Sequence, residues 1–280
     1  MRVELHCHST ASDGSFSPAD VAARAKQEAV ELFCLTDHDS LAGSAATEGA
    51  LVGAGIEVLR GLELSAHEAG RTVHLLVYRP KGGGDVAGWA SLEAHVESLA
   101  GSRRARMNQM LARLAARGIA VDMADVEREA AFAVMGRPHL ARALVARGVV
   151  ATTREAFDRW LGDRGPAQVT MTKVDVALAL EWAGAAGARV SLAHPHTLGP
   201  PAAADLLRRF VPRGLGGLEA VYGTYSPRER REWLALAAAH RVVATAGSDF
   251  HGEASPTIAR PGIELDASLA APLCEWLEVG

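Results

Sequence analysis

The chain alternates short apolar runs with stretches whose apolar residues recur every three or four positions, the patterns of strands and amphipathic helices. Val3–His8, Leu32–Thr36, Ile56–Leu64 and Val73–Tyr78 read as strands. Ser17-Pro18 marks a helix start, a capping hydroxyl followed by proline, and that helix is expected to run to about Val30. The rhythm then changes. Lys81-Gly82-Gly83-Gly84 reads as a flexible hinge, and helices are predicted over Trp89–Arg117, Met123–Ala131, Pro138–Arg147 and Glu155–Leu161. Thr152-x-x-Glu155 is a capping-box signal for the last of these. The α/β pattern resumes with strands at Arg189–Ala193, Leu215–Ala220 and Val242–Ala246. Helices accompany them at Val174–Ala186, Ala202–Phe210, Pro227–His240 and Ser268–Leu277. Repeated βα units predict an α/β protein with a parallel sheet, either a barrel or an open doubly wound sheet. The expected organisation is an α/β body of residues 1–80 and 166–280, interrupted by a helical insertion over 81–165.

Polar ligand-type residues recur where the predicted strands end. His6 and His8 are two apart on a strand and so project from one face, with Cys7 pointing the other way. Asp13-Gly14 follows, where a turn can bring the carboxylate back. His38 closes the second strand, Glu63 the third, His194 a later one, and Asp249 and His251 the last. In a barrel these ends converge on one mouth, where active sites lie. His74 begins its strand instead of ending it. Six imidazoles and three carboxylates gathered in one place are costly unless something compensates them, and metal ions do so. Mixed His, Asp and Glu ligation suits Mn, Zn or Fe. Nine ligands exceed the need of one ion, so two or three divalent ions are expected, with Glu63 or Asp249 bridging. Such ions activate water near neutral pH and hold phosphate oxygens.

Composition narrows the function without deciding it. The formal net charge of -4 argues against a simple electrostatic nucleic-acid binder, and no DNA partner is expected. Three dications would add about six positive charges to one pocket, so an anionic substrate remains compatible with an acidic protein. The three cysteines, Cys7, Cys34 and Cys274, form no disulfide framework or CxxC pattern, which fits a reducing cytoplasm. The start MRVELHCHST turns polar at once, and the longest apolar runs are broken short of a membrane span, so neither leader nor membrane partner is expected.

At these residues the sequence resembles the PHP (polymerase and histidinol phosphatase) superfamily. LHCHSTASDG is similar to its first motif, LTDHDS to its second, GLELS with His74 to its middle signals, LAHP to its third and AGSDFH to its fourth. The resemblance implies a distorted (β/α)7 TIM-like barrel and a metal-dependent phosphoesterase. Carried over motif by motif, it implies that His6, His8, Glu63 and Asp249 hold one metal, that Glu63, His74 and His194 hold a second, and that Asp13, His38 and His251 hold a third. His38, His194, Asp249 and His251 are the residues expected to carry catalysis. Two positions depart from the pattern: Cys7 stands where Val or Thr is expected, and AHPHTLG replaces an AHP-Gly-Arg-Tyr type of fragment, introducing His196.

Within the superfamily, GRPHLARALV and the Arg-rich helix Arg103–Leu114 resemble the insertion of the 3',5'-nucleoside bisphosphate phosphatase and RNase AM branch. This implies a small phosphorylated substrate, a nucleoside 3',5'-bisphosphate first and short RNA trimmed from its 5' end second. Arg103, Arg106, Arg137 and His139 are the expected substrate contacts. Arg103 and Arg106 share a helix face, and Arg137 precedes Pro138 at a helix start, where free N–H groups favour anions. The alternatives are a histidinol-phosphate phosphatase, which has no evident need of several arginines, and a non-catalytic metal-binding regulator, which would be expected to lose ligands. Asp37 and Asp39 read as turn residues or supports for the ligands, and Glu219 as a ligand-orienting or a structural acid. Tyr222 and Tyr225 read equally as packing or as base-stacking residues, and His67, His95 and His240 as solvent-facing.

Overall fold

The computed structural model describes residues 1–83, 85–130, 135–162, 164–169, 174–255 and 257–280. They form two compact units, residues 1–95 with 173–280, and residues 96–172. In the first unit one eight-stranded sheet has the order β7-β6-β5-β4-β3-β2-β1-β8. Its strands are β1 (Arg2–Glu4), β2 (Leu32–Leu35), β3 (Glu57–Glu68), β4 (Arg71–Tyr78), β5 (Arg189–Leu192), β6 (Leu215–Tyr222), β7 (Val243–Gly247) and β8 (Ile263–Glu264). The sheet curls until the segments beyond β1 and β7 meet. Cys7 bridges Phe250 in parallel, the Asp249 N–H donates to His6 O at 2.7 Å, and the His8 N–H donates to Phe250 O at 2.8 Å. The result is the distorted barrel that the resemblance implied.

The expected all-parallel sheet is corrected at three pairings. β4 runs antiparallel to both β3 and β5, and β8 antiparallel to β1. Only Ala69 and Gly70 separate β3 from β4, too few residues for a crossover, so a hairpin is the one outcome available. The first strand is also shorter than Val3–His8: past Glu4 the Thr36 N–H still donates to Cys7 O, while His6 O and the His8 N–H turn to Asp249 and Phe250.

Helices α1 (Pro18–Gln27), α2 (Ser44–Leu51) and, later in the chain, α7 (Val176–Ala185), α8 (Pro200–Phe210), α9 (Pro227–His240) and α10 (Ala267–Leu277) belong to this unit. Their starts follow local chemistry. Ser17 Oγ accepts the Asp20 N–H with Pro18 at the first position, and Ser226 and Glu229 form a complete capping box for α9. α10 lies under the amino-terminal end of the barrel: Arg189, at the start of β5, donates to Trp276 O at 2.8 Å, and Leu273 and Leu277 pack on Val3, Leu5, Leu32 and Tyr78. The carboxyl ends of the parallel strands lie at the opposite end of the barrel, away from α10. His95 stacks on Trp182 with ring centroids 4.3 Å apart, and His67, His95 and His240, expected to face solvent, are each half-buried.

The second unit contains the later part of α3 (Val86–Ala115), then α4 (Met123–Ala130), α5 (Arg137–Ala146), α6 (Thr153–Ala156) and a turn of π-helix at Phe157–Leu161. It has a core of its own, in which Met110, Leu114, Val126, Leu140, Leu144 and Leu161 are buried together. Its limits differ from the expected 81–165. Lys81 is tied to the barrel unit through its N–H to Leu277 O and an ion pair with Glu57, and Trp89 and Leu92 are buried. At the other end Ala167 and Val169 enter the helical core, and Arg106 Nε donates to Val169 O at 2.7 Å. Gly84 of the expected hinge and Ala131 of an expected helix lie outside the described residues.

Candidate metal centre

All nine sequence-predicted ligand residues belong to the barrel unit, and eight lie at or beyond the carboxyl ends of strands or within β3. His74 looked misplaced because it begins its strand. β4 runs against the parallel strands, so its beginning lies at the same end of the barrel as their ends. Register completes the explanation: Glu63 pairs with Leu76, and His74, two residues earlier, therefore projects from the same face. His74 Nδ1 lies 2.8 Å from Glu63 Oε1.

Glu63 is the hub. Its Oε1 also lies 2.8 Å from His194 Nε2, and its Oε2 lies 3.2 Å from His6 Nε2, 3.1 Å from His8 Nε2 and 3.1 Å from His38 Nδ1. Asp249 Oδ1 lies 3.3 Å from His6 Nε2 and 3.2 Å from His8 Nε2. On the other side of His8, Asp13 Oδ1 is 3.3 Å from His251 Nε2 and Asp13 Oδ2 is 3.5 Å from His38 Nε2. Among the described residues, three groups could each hold an ion: His6, His8, Glu63 and Asp249; His8, Asp13, His38 and His251; and His38, Glu63 and His74. His194 joins the last through Glu63 and through a 3.3 Å approach to His74 Nδ1.

These residues fit divalent ions on two counts. His6 Nε2, His8 Nε2, His38 Nδ1 and Glu63 Oε2 are buried and make no hydrogen bond, an expensive state for polar atoms. Their spacing is also that of a coordination shell. Ligands about 2.1 Å from a common ion stand about 3.0 Å apart at octahedral angles and about 3.4 Å apart at tetrahedral ones. His6, His8 and Glu63 are fully buried, whereas Asp13, His38, His74, His194, Asp249 and His251 are partly exposed. The cluster thus has a closed floor and an accessible rim.

Supporting groups fix how the ligands point. Glu219 Oε1 pairs with His6 Nδ1 at 2.8 Å, which turns His6 Nε2 toward Glu63, and Glu219 Oε2 accepts the His194 backbone N–H at 2.6 Å. His251 Nδ1 meets Asp249 O at 2.9 Å, leaving its Nε2 for Asp13. Tyr222 Oη donates to Asp249 Oδ2 at 2.7 Å, so Oδ1 is the oxygen that faces the histidines. Asp37 accepts from Ser9 N, Ser9 Oγ and Ser12 Oγ and thereby folds back the loop that carries Asp13, while Asp39 accepts the Ser65 N–H. Asp37 and Asp39 thus brace the turns next to the ligands. Sequence reasoning missed Glu4, which accepts from the N–H groups of His6, Ser248 and Gly262. The signal was present, a charge inside an apolar strand. His194 (φ 23°) and Asp249 (φ 59°) occupy the sparsely populated positive-φ region, held there by these bonds. Gly247 lets β7 pass directly against His6, where any Cβ would collide with the His6 backbone and Cβ.

Charge in the cluster is strongly coupled. Burial pushes the Glu63 carboxyl up, but His38, His6 and His74 outweigh it and hold Glu63 well below the usual carboxylate range. Burial lowers the His8 imidazole, but the Asp249 and Glu63 carboxylates beside it overcome this and raise it to about 10. Burial dominates at His38, which falls to about 4. Protons on His6 and His8 thus offset the carboxylates, and a dication among the same atoms would release them.

The four expected substrate contacts all lie in the second unit, where each has interactions of its own. Arg106 holds Val169 O. Arg137, the first residue of α5, donates to Leu161 O at 3.2 Å. His139 Nδ1 accepts the Gly136 N–H at 2.9 Å and so occupies part of the helix start that was expected to be open to an anion. Arg103 lies in α3. Among the described residues no helix is long and apolar enough to cross a membrane.

A barrel whose mouth gathers imidazoles and carboxylates at coordination spacing is the build of a metal-dependent hydrolase. Comparison with known proteins sharpens the class: residues 4–165 match the PHP domain, and the chain belongs to that family as a metal-dependent phosphoesterase. It is 32% identical to a 3',5'-nucleoside bisphosphate phosphatase of Chromobacterium violaceum, over 96% of this chain and 98% of that one. It is 31% identical to a 5'-3' exoribonuclease of Haemophilus influenzae (89% and 90% covered) and 33% identical to a phosphoribosyl 1,2-cyclic phosphate 1,2-diphosphodiesterase of Eggerthella lenta (89% and 94%). A candidate metal-dependent phosphoesterase from Bifidobacterium adolescentis superposes with a TM-score of 0.73 at 25% identity, covering 98% of this chain and 95% of that one.

Proposed function

We propose that this protein hydrolyses the phosphate of a small nucleotide, with nucleoside 3',5'-bisphosphate the favoured substrate and 5'-3' trimming of short RNA a second activity. The observation that carries the reading is the end-to-end likeness to a nucleoside bisphosphate phosphatase, joined to an intact ligand set at one mouth. His6, His8, Glu63 and Asp249 would hold one ion, Glu63, His74 and His194 a second, and Asp13, His38 and His251 a third, with Mn, Zn or Fe the candidates. Bound ions supply Lewis acidity and activated water. The protein supplies the rest. Buried His6, His8 and Glu63 fix the floor, and Glu219 and Tyr222 set the direction of His6 and Asp249. His38, His194 and His251 sit on the rim, where an imidazole can give a proton to the departing alkoxide.

In this reading the unit of residues 96–172 is a substrate cap, and Arg103, Arg106, Arg137 and His139 hold the second phosphate. The unpaired Cys7, Cys34 and Cys274 support a reducing, cytoplasmic setting. The test is a substrate panel on the Mn-loaded protein: adenosine 3',5'-bisphosphate, 5'-AMP, a 5'-phosphorylated trinucleotide and histidinol phosphate. The expected order places the bisphosphate first in kcat/KM, with Arg137→Ala raising its KM while sparing kcat. Preference for histidinol phosphate, or no turnover of any member, would overturn the reading.

A further inference from the structure

We propose that His196, Tyr222 and Tyr225 form a stacking platform for the planar base of the substrate. The proposal rests on the nucleotide reading above and assigns a place to the part of the substrate that does not react.

The three rings leave the carboxyl ends of two adjacent parallel strands, on the mouth side of the barrel. His196 lies in a single 3₁₀ turn, Pro195–Thr197, directly after His194. Tyr222 ends β6, and the Tyr225 N–H closes the following turn onto Tyr222 O at 3.0 Å. The ring centroids stand 5.0 Å apart for His196 and Tyr222, 5.3 Å for His196 and Tyr225, and 5.1 Å for the two tyrosines. Interplanar angles of 54°, 85° and 43° make the rings the walls of a shallow cup, not a closed stack.

The polar ends are already engaged. Tyr222 Oη bonds Asp249, and Tyr225 Oη pairs with His196 Nδ1 at 2.9 Å. These bonds fix the rings, so that ring faces and edges are what the cup offers. Trp233 backs Tyr225 at 6.2 Å. His196 is exposed and the tyrosines are half-exposed, which packing alone does not require. Position decides the ligand. His194, on the rim of the ion cluster, is 6.2 Å from His196 and 6.5 Å from Tyr222. A phosphoryl group held at the cluster therefore leaves room for one sugar before the cup. Aromatic faces accept any base, because every base has a π-face.

The test compares two ligands that differ only in the base: the non-hydrolysable phosphonate analogues of 5'-AMP and of ribose 5-phosphate. Calorimetric titration of the full metal-loaded chain should show the adenosine compound bound about tenfold tighter or more. His196→Ala and Tyr225→Ala together should bring the ratio close to one, and the exposed His196→Ala alone should lower it. His196→Phe, which restores a planar face, should keep most of it. Equal binding of the two ligands by the wild type, or an undiminished ratio in the alanine variants, would overturn the proposal. Turnover separates the two readings. A tenfold ratio without nucleotide hydrolysis sinks the substrate assignment alone, whereas hydrolysis of the bisphosphate with a ratio of one sinks the platform alone.

Discussion

Glu219→Gln is the sharpest test of how the ion cluster is organised. Glu219 is fully buried and touches no substrate, yet its two oxygens face two donors, His6 Nδ1 at 2.8 Å and the His194 N–H at 2.6 Å. Glutamine has nearly the same shape but only one acceptor, and its amide group presents hydrogens where the second acceptor stood. With His6 Nε2 turned to an ion its Nδ1 carries the proton, so one of the two donors then loses its partner. A buried polar group left unpaired costs about 1–3 kcal/mol, which at about 1.4 kcal/mol per decade is roughly 5- to 150-fold in an equilibrium constant. If the loss falls on His6, its Nε2 is no longer directed at Glu63 and Asp249. If it falls on His194, the backbone at φ 23° is released. Either way the cost appears in ion affinity, in line with the 10- to 100-fold typical of groups that orient metal ligands. Mn affinity is measured by competition with a chromogenic chelator, and folding is checked by circular dichroism. The expected result is weaker Mn binding, with kcat recovering in part at saturating Mn. A folded variant that binds Mn as tightly as the wild type would refute the reasoning.

Three further outcomes follow from the same geometry. Asp249→Ala and His38→Ala should each lower kcat below detection in a p-nitrophenyl phosphate assay with Mn, and unchanged turnover in both would remove the cluster from the chemistry. The pH dependence has a definite sign: His8, raised from 6.5 to about 10, stabilises the metal-free fold fully below 6.5 and loses that contribution as pH climbs through about 10. Ion binding needs the neutral imidazole, so the rise in Tm on adding Mn should grow across that window, and a shift that shrinks with pH would contradict it. Leu140→Ala removes a fully buried side chain from the helical core and should cost about 2–5 kcal/mol, read by calorimetry as a lower unfolding temperature.

The ligand set was legible because each member is a chemically distinctive residue at the end of an apolar run, and strand ends carry site residues in barrels. What the sequence concealed was direction. Alternating apolar runs look the same whether a strand runs up or down, so the hairpin that explains His74 could not be read from periodicity. Strand β1 is shorter than its pattern for a related reason: VELHCH keeps alternating past Glu4, but there the segment bonds residues 249 and 250 as well as Thr36. Helix α2 escaped notice because SAATEGAL carries a glycine and its cap, Gly43, offers no side chain. For Glu219 the sequence left a ligand-orienting and a structural role equally open, since its two partners come from residues 6 and 194. The long helices of the second unit were plain from their period. Its true limits were not, because Lys81 reads as a hinge and becomes an anchor only through Leu277 and Glu57.

The seam between the first and last parallel strands has a mechanical consequence. β1 and β7 join through one bridge and two backbone bonds, far fewer than hold β3 to β4. Across that seam stand His6 and His8 on one side and Asp249 and His251 on the other. Ions held by residues on both sides would act as a clasp, contributing through side chains the closure that the backbone ladder lacks there. When they leave, opening should begin at residues 6–8 and 249–251, and amide exchange in those two segments should quicken before the rest of the barrel responds.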